Sequence, residues 1–284
     1  MGVRAPESVF PAAGGVAFPH EIVAPDAPAC YNELLKEVTR MARFFVSASN
    51  IFGGVAYLSS SDSEHLRSLR IRNGEVFTVC DGNGTDYSCV LTRSDRDGAE
   101  AKILGTSPSV GEPSVQVTLF MAYAKGDKNE HVVQKAVELG ARGVILFPSR
   151  RCVARPEGSA LAKRILRLSS IAEEAAQQCG RGAVPTVTAL DSFEEAVERA
   201  SMTDVPLFCY ENETDAGLKA ALDACPGART VSVMCGPEGG FDPAEAELAV
   251  ERGMRSVTLG KRILRCETAP LAALTAVMFH TGEL

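Results

Sequence analysis

The chain of 284 residues is 45% hydrophobic and 23% charged, the balance of a soluble globular protein with room for one large or two ordinary domains. No apolar run approaches the ~20 residues of a membrane span. Nine cysteines without a CxxC pair and four scattered histidines argue against a zinc site or disulfide framework, so no membrane, no metal, and reduced thiols in a cytoplasmic protein are expected.

The net charge of −7 is uneven: residues 191–223 hold nine acids and two bases, whereas 142–167 hold seven bases and one acid. Overall acidity therefore does not exclude a local polyanion site, although charge alone does not separate such a site from a solvated helix face. Residues 1–29 are rich in Pro, Gly and Ala, without helical or strand period and without the charge pattern of a signal or transit peptide. Residues 1–40 read as a poorly ordered N-terminal extension, with one short helix over 30–40.

From Met41 the pattern turns to short strands: ARFFV, GGVAYLS, EVFTVCD, DYSCVLTR and AEAKILGT. One helical segment, SDSEHLRSLRIRNGE, interrupts them with Leu66, Leu69 and Ile71 as apolar positions, and Asp81-Gly-Asn-Gly84 marks a hairpin. Strands at this spacing predict a small barrel over 41–106. SPSVGEPS, residues 107–114, reads as a linker. Over 115–284 strands and helices alternate: VQVTLFM, GVILF, VPLFCY, RTVSVMC and SVTLG are the strands, separated by amphipathic helices, and a helix beginning at TAPLAAL closes the chain. That rhythm builds a parallel sheet covered on both faces, with ligands beyond the carboxyl ends of its strands.

Two loops leave strands at that end. CGPEGGF, residues 235–241, lacks the Lys-Ser/Thr of a phosphate-binding loop, and Asp242-Pro-Ala-Glu245 is a capping box whose own carboxylates meet the next helix's free N–H groups. Two acids beside a glycine turn suit a neutral or cationic ligand, although the loop alone is equally compatible with a turn that binds nothing. LGKRILRCETAP, residues 259–270, sets Lys261, Arg262 and Arg265 beside Glu267 and Thr268, with Ile263 and Leu264 able to wall a flat ring. The two loops together favour a site.

GPEGGF and LGKRILRCETAPLAAL resemble the C-terminal signature of the bacterial 16S rRNA uracil-N3 methyltransferases of the SPOUT class. KGDKNEHVVQKAVELGARGVILFPSRRCVARP, IAEEAAQQCGR, MARFFV and SEHLRSLR resemble further blocks of that family, so the likeness covers residues 41–284. The chain departs from the family at Leu168, where a tryptophan is usual, and at Cys266, where a threonine or small residue is common. The resemblance implies a PUA-like RNA-binding β-barrel, then a trefoil-knotted α/β domain with a parallel sheet, a homodimer, and S-adenosylmethionine as methyl donor. By the same resemblance the cofactor-binding residues are Glu211, Gly236, Pro237, Glu238, Gly239, Leu259, Gly260, Ile263, Leu264, Thr268 and Ala269.

The implied reaction methylates N3 of a specific uridine in 16S rRNA within the small ribosomal subunit. N3 becomes nucleophilic as its proton leaves and negative charge spreads to O2 and O4. Arg265 and Arg262 are candidates to meet that charge, and Glu267 to take the proton, unless Glu267 only pairs with an arginine or caps the last helix. RNA phosphates would meet Arg43, Arg67, Arg70 and Arg72 on the barrel and Lys125, Lys128, Arg150, Arg151 and Arg155 on the second domain. A SPOUT enzyme acting on a ribose 2′-hydroxyl or guanine N1, and a non-catalytic RNA-binding assembly factor, are the alternatives.

Overall fold

A computed structural model describes residues 42–284, and the readings for residues 1–40 lie outside the described residues. The first half is built from β1 (Arg43–Phe45), β2 (Ile51–Phe52), β3 (Val55–Leu58), α1 (Ser60–Ser68), β4 (Val76–Cys80), β5 (Thr85–Ser94) and β6 (Ala99–Pro108). They form one sheet in the order β1-β4-β5-β6-β3-β2, antiparallel except where β1 joins β4. Alternation decides which side is buried: Phe77 and Val79 of β4, Ala56 and Leu58 of β3, and Phe44 of β1 pack on one face. Phe44 meets Phe77 edge-on, with centroids 5.4 Å apart. Leu66 seals this core from α1, which starts at a capping box between Ser59 and Asp62. Fully burying each such side chain contributes roughly 1.5–3 kcal/mol.

The helix is shorter than the sequence pattern predicts. It stops at Ser68 because Arg70 adopts a left-handed φ of 61°, and the amide of Ile71 donates back to the carbonyl of Leu66 at 3.0 Å. Leu69 is therefore exposed, Leu66 anchors the helix, and Ile71 in the turn after it packs partly buried on the same core. β6 also runs to Pro108, two residues into the segment that reads as a linker, because Thr85 pairs with Pro108.

The second half holds β7 (Gln116–Ala122), α2 (Lys128–Glu138), β8 (Gly143–Phe147), α3 (Gly158–Cys179), β9 (Thr186–Ala189), α4 (Phe193–Ser201), β10 (Val205–Cys209), α5 (Leu218–Asp223), β11 (Thr230–Cys235), α6 (Pro243–Glu251), β12 (Arg255–Val257) and α7 (Ala269–Thr281). Its six strands are all parallel, in the order β12-β10-β11-β7-β8-β9. β8 and β10 are buried at every position, as strands covered on both faces require. The fold is thus mixed α/β with a parallel sheet. Neither β2 nor β9 shows in the sequence pattern: each is an edge strand of four residues or fewer. Leu168, at the family's tryptophan position, is fully buried in the core, so it packs α3 and touches no surface ligand.

Two buried ion pairs lie at the seam between the halves. Both terminal nitrogens of Arg43 donate to Asp86 at 2.6 Å, and one also reaches the carbonyl of Arg181 at 3.2 Å. Arg181, whose side chain is 4% exposed, grips Glu112 at 2.6 and 3.1 Å and donates to the carbonyls of Ala141 and Val137. Glu112 also accepts the amides of Gly182 and Ala183. Arg43, grouped by the sequence with the RNA contacts, is therefore withdrawn from the surface and joins the halves instead.

Candidate functional site

Parallel register aligns the strand ends that frame the site. Cys209 of β10 lies level with Cys235 of β11 and Val257 of β12, and Cys235 lies level with Met121 of β7. The chain leaves all of these strands in the same direction. The loops that follow enclose a cavity of about 510 Å³, within the roughly 300–1,000 Å³ typical of small-molecule sites. Gly236, Pro237, Glu238 and Gly239 form one wall, Leu259, Gly260, Ile263 and Leu264 another, and Glu211 and Ala269 complete it. Of the predicted cofactor residues only Thr268 stays outside, exposed at the start of α7, with its amide bonded to the carbonyl of Arg265.

Gly240 explains why the turn that follows Cys235 needs a glycine at its end. Its φ is +68°, and a Cβ there would collide with the carboxylate of Glu211. Glu211 in turn accepts the amide of Phe241 at 3.1 Å, so the loop after β10 is tied to the loop after β11. The capping box of Asp242 and Glu245 forms as the sequence predicts. Glu245, almost fully buried, also accepts the Arg150 amide at 2.8 Å and the Ser149 hydroxyl at 3.1 Å, which fixes the loop after β8 beside the site. The amides at the start of α6 are thus largely satisfied by carboxylates, so that helix end offers little to a phosphate.

Cations and thiols fill the rest. Arg262 and Arg265 line the cavity, and neither makes an ion pair among the described residues. Lys128, grouped by the sequence with the RNA contacts, lines the cavity instead and bridges Glu238 at 3.1 Å and Glu267 at 3.3 Å. Glu267 thus pairs with a lysine, and with no arginine. Its own backbone amide first, then the thiol of Cys266 and the nearby Lys128, hold its carboxyl below the usual range. Burial, and then the neighbouring carboxylate of Glu267, push the Cys266 thiol up to about 12. Cys209 beside it, together with burial, likewise raises Cys235. These thiols stay protonated at neutral pH and act as small apolar floor groups. Among the described residues no cluster of His, Cys, Asp and Glu could hold a metal, and no helix is long and apolar enough to cross a membrane.

The remaining basic candidates divide into two groups. Lys125, Arg150 and Arg151 lie on the loops after β7 and β8, at the same end as the cavity. Arg150 and Arg151 approach Asp242 at 3.3 and 3.7 Å, and Arg155 caps the carbonyls of Ser149 and Arg150. Arg67, Arg70 and Arg72 follow one another along the end of α1 and its turn, exposed to solvent. The strand end Cys209-Tyr210-Glu211, a third loop that the resemblance implies, lines the cavity as well, and so do Val257 and Thr258, which the sequence pattern does not single out. Their positions at strand ends were the available signal.

An RNA methyltransferase domain model matches residues 111–278, and an RNA methyltransferase PUA domain model matches residues 58–104. The chain is 32% identical over 220 residues to the ribosomal RNA small subunit methyltransferase E of Bacillus subtilis, covering 76% of this chain and 86% of that one. The chain belongs to this RNA methyltransferase family. A crystal structure of the methyltransferase E from Neisseria gonorrhoeae, bound to S-adenosylmethionine, aligns with a TM-score of 0.77 at 34% identity, covering 84% of this chain and 98% of that one. A putative methyltransferase from Legionella pneumophila, solved with the same bound cofactor, aligns with a TM-score of 0.77 at 25% identity over 85% and 98%. Membership makes the two match regions meaningful: the cavity lies wholly within the methyltransferase match, and α1 with its arginines lies within the PUA match.

Proposed function

We propose that the protein is a cytoplasmic, S-adenosylmethionine-dependent methyltransferase that modifies N3 of a uridine in the 16S rRNA of the small ribosomal subunit. The observation that carries this reading is a cavity with glycine backbone on one wall, apolar residues on another, carboxylates at its edge and two unpaired arginines. The fit favours a sulfonium cofactor: Glu211 and Glu238 suit a cation, Leu259, Ile263 and Leu264 suit an adenine ring, and no phosphate cradle is present among the lining residues. When bound, S-adenosylmethionine supplies an electrophilic methyl group.

The chain's own residues would handle the uracil. Arg265 and Arg262 are placed to meet charge on O2 and O4 as N3 loses its proton, a term usually worth roughly 3–4 kcal/mol per donor. Glu267 does not line the cavity, whose carboxylates are Glu211 and Glu238, and its carboxyl, held below the usual range, makes it a weak base. Its role in this proposal is to hold Lys128 against Glu238 at the cavity mouth. Arg67, Arg70, Arg72, Lys125, Arg150 and Arg151 would meet RNA phosphates. Residues 41–106 would then serve as the RNA-binding barrel and 115–284 as the catalytic domain, the latter knotted through the loops at 235–241 and 259–269. A homodimer is proposed through α7, which is apolar on most faces and leaves Phe279 74% exposed.

The test is methylation of small subunits purified from a strain lacking the protein, with the modified position read by mass spectrometry. N3-methyluridine is expected. A methyl on a ribose 2′-hydroxyl or on guanine N1 would redirect the chemistry, and no incorporation with intact cofactor binding would favour an assembly factor.

A further inference from the structure

The outer face of the first sheet carries an aromatic pair that no core explains. Phe52 of β2 and Tyr57 of β3 stack with centroids 4.7 Å apart and planes inclined by 23°. Phe52 is 60% exposed and Tyr57 36% exposed. The register places them on the solvent side. Phe52 pairs with Val55, Val55 with Lys102, and Tyr57 with Glu100, and directly paired residues share a face. Ala56, Leu58, Ala99 and Ala101 alternate with them and face the core. Gly53 and Gly54, with φ of 62° and 77°, close the hairpin in two residues, so the rings ride on a short, stiff connection.

Among the described residues, one free cation stands beside the rings. Arg93 is shared between Glu100 at 3.0 Å and Asp95 at 2.6 Å, so one guanidinium faces two carboxylates. Lys102 is exposed and makes no ion pair among the described residues. The local balance is therefore an aromatic platform beside an unpaired cation. The patch is two rings wide, far short of the roughly 800 Å² per partner that a stable protein interface buries. One unpaired nucleobase matches it in size, since every base has a π-face to stack, and Lys102 offers the adjoining phosphate a cation.

We propose that Phe52 and Tyr57 form a stacking site for an unpaired RNA base, with Lys102 meeting the adjoining phosphate. The proposal rests on RNA being the substrate and adds a specific contact, on the sheet itself, to the arginines of α1. It sets how the substrate is held: the site selects single-stranded RNA over duplex, because only a splayed base can reach the rings.

The chain has no tryptophan, so Phe52→Trp in the full-length protein places one indole reporter at the site. A single-stranded uridine- and adenosine-containing oligoribonucleotide is expected to quench that emission, whereas the same oligonucleotide annealed into a duplex is not. Phe52→Leu keeps an apolar hairpin contact without a π-face, and is expected to weaken single-strand binding roughly 5- to 100-fold with cofactor affinity and melting temperature near wild type. Wild-type-like RNA binding by Phe52→Leu, or equal quenching by duplex and single strand, would overturn the stacking site. A lowered melting temperature with unchanged RNA affinity would assign the pair to hairpin stability alone. Methylation of small subunits by the wild type, run in parallel, separates the two readings. Methylation without quenching rejects only the platform, whereas quenching without methylation supports the platform and rejects the enzymatic reading.

Discussion

Two clusters of ion pairs hold this molecule in opposite ways. At the seam, Arg181 is 4% exposed and every polar atom of its guanidinium and of Glu112 has a partner. At the cavity mouth, Lys128 is 27% exposed and is shared between two carboxylates that are themselves partly open to water. The seam differs on the cationic side: Glu112 is 28% exposed, much like the mouth carboxylates, but Arg181 is buried and its loss leaves buried carbonyls without a donor. A half-exposed pair is screened and typically worth under about 1 kcal/mol. The seam therefore fixes the two halves, while the mouth can rearrange at little cost when a ligand enters.

Breaking the seam is expected to have the largest effect on stability. Arg181→Ala should cost roughly 1–3 kcal/mol in denaturant unfolding, since the buried carbonyls of Ala141 and Val137 lose their donor while Glu112, 28% exposed, keeps part of its hydration, with cofactor affinity of the folded fraction unchanged. Acid provides a second handle on the same region. Burial opposes it, but hydrogen bonds from Arg181 and Arg43 hold the carboxyls of Glu112 and Asp86 below their ordinary values of 4.5 and 3.8. The folded state then binds fewer protons than the unfolded chain. Their contribution is complete above the ordinary values and is lost as pH falls below them toward the depressed ones. Unfolding midpoints measured from about pH 5 downward should decline, and Arg181→Ala should flatten the part due to Glu112.

The cavity should respond in rate and binding more than in stability. Arg265→Ala is expected to slow single-turnover methylation by roughly 100-fold or more while changing cofactor affinity far less, and lysine should restore only part. Equal losses in rate and affinity would reduce Arg265 to a loop-ordering residue. Glu267→Ala sharpens the point: since Glu267 meets Lys128 and no arginine, it should not mimic the arginine variant.

Smaller effects distinguish adjacent glycines. Gly240→Ala forces a side chain into a left-handed conformation costing ~1–2 kcal/mol and against Glu211, so calorimetry should find cofactor affinity reduced roughly 10-fold. Gly239→Ala should be tolerated better, because its Cβ would meet the Cβ of Arg151 at 3.1 Å, a tight contact that needs only a few tenths of an ångström of give, and its φ is ordinary. Smallest of all, Lys128→Ala should leave the unfolding midpoint close to that of the wild type, because its ion pairs are screened by water; a loss comparable to that of Arg181→Ala would dissolve the contrast between the two clusters.

Local pattern and periodicity determined much of this by themselves. The alternation of strands and helices after residue 115, the capping box at Asp242 and Glu245, and the two strand-end loops are short-range signals, and each is read within a window of about ten residues. The cavity loops were legible for the same reason, since glycine turns and clustered cations lie contiguous in the chain. Short edge strands such as β9 were not legible, because four residues at a sheet edge carry too little period to separate them from loop. Charge pairing was decided only by tertiary structure. Arg43 and Lys128 look like their exposed neighbours in sequence, yet one is joined to Asp86, 43 positions away, and the other to Glu238 and Glu267. Whether a cation faces RNA, a seam or a cavity depends on which distant carboxylate the fold brings within ~4 Å, where Coulomb attraction outweighs hydration only if the pair is shielded from water.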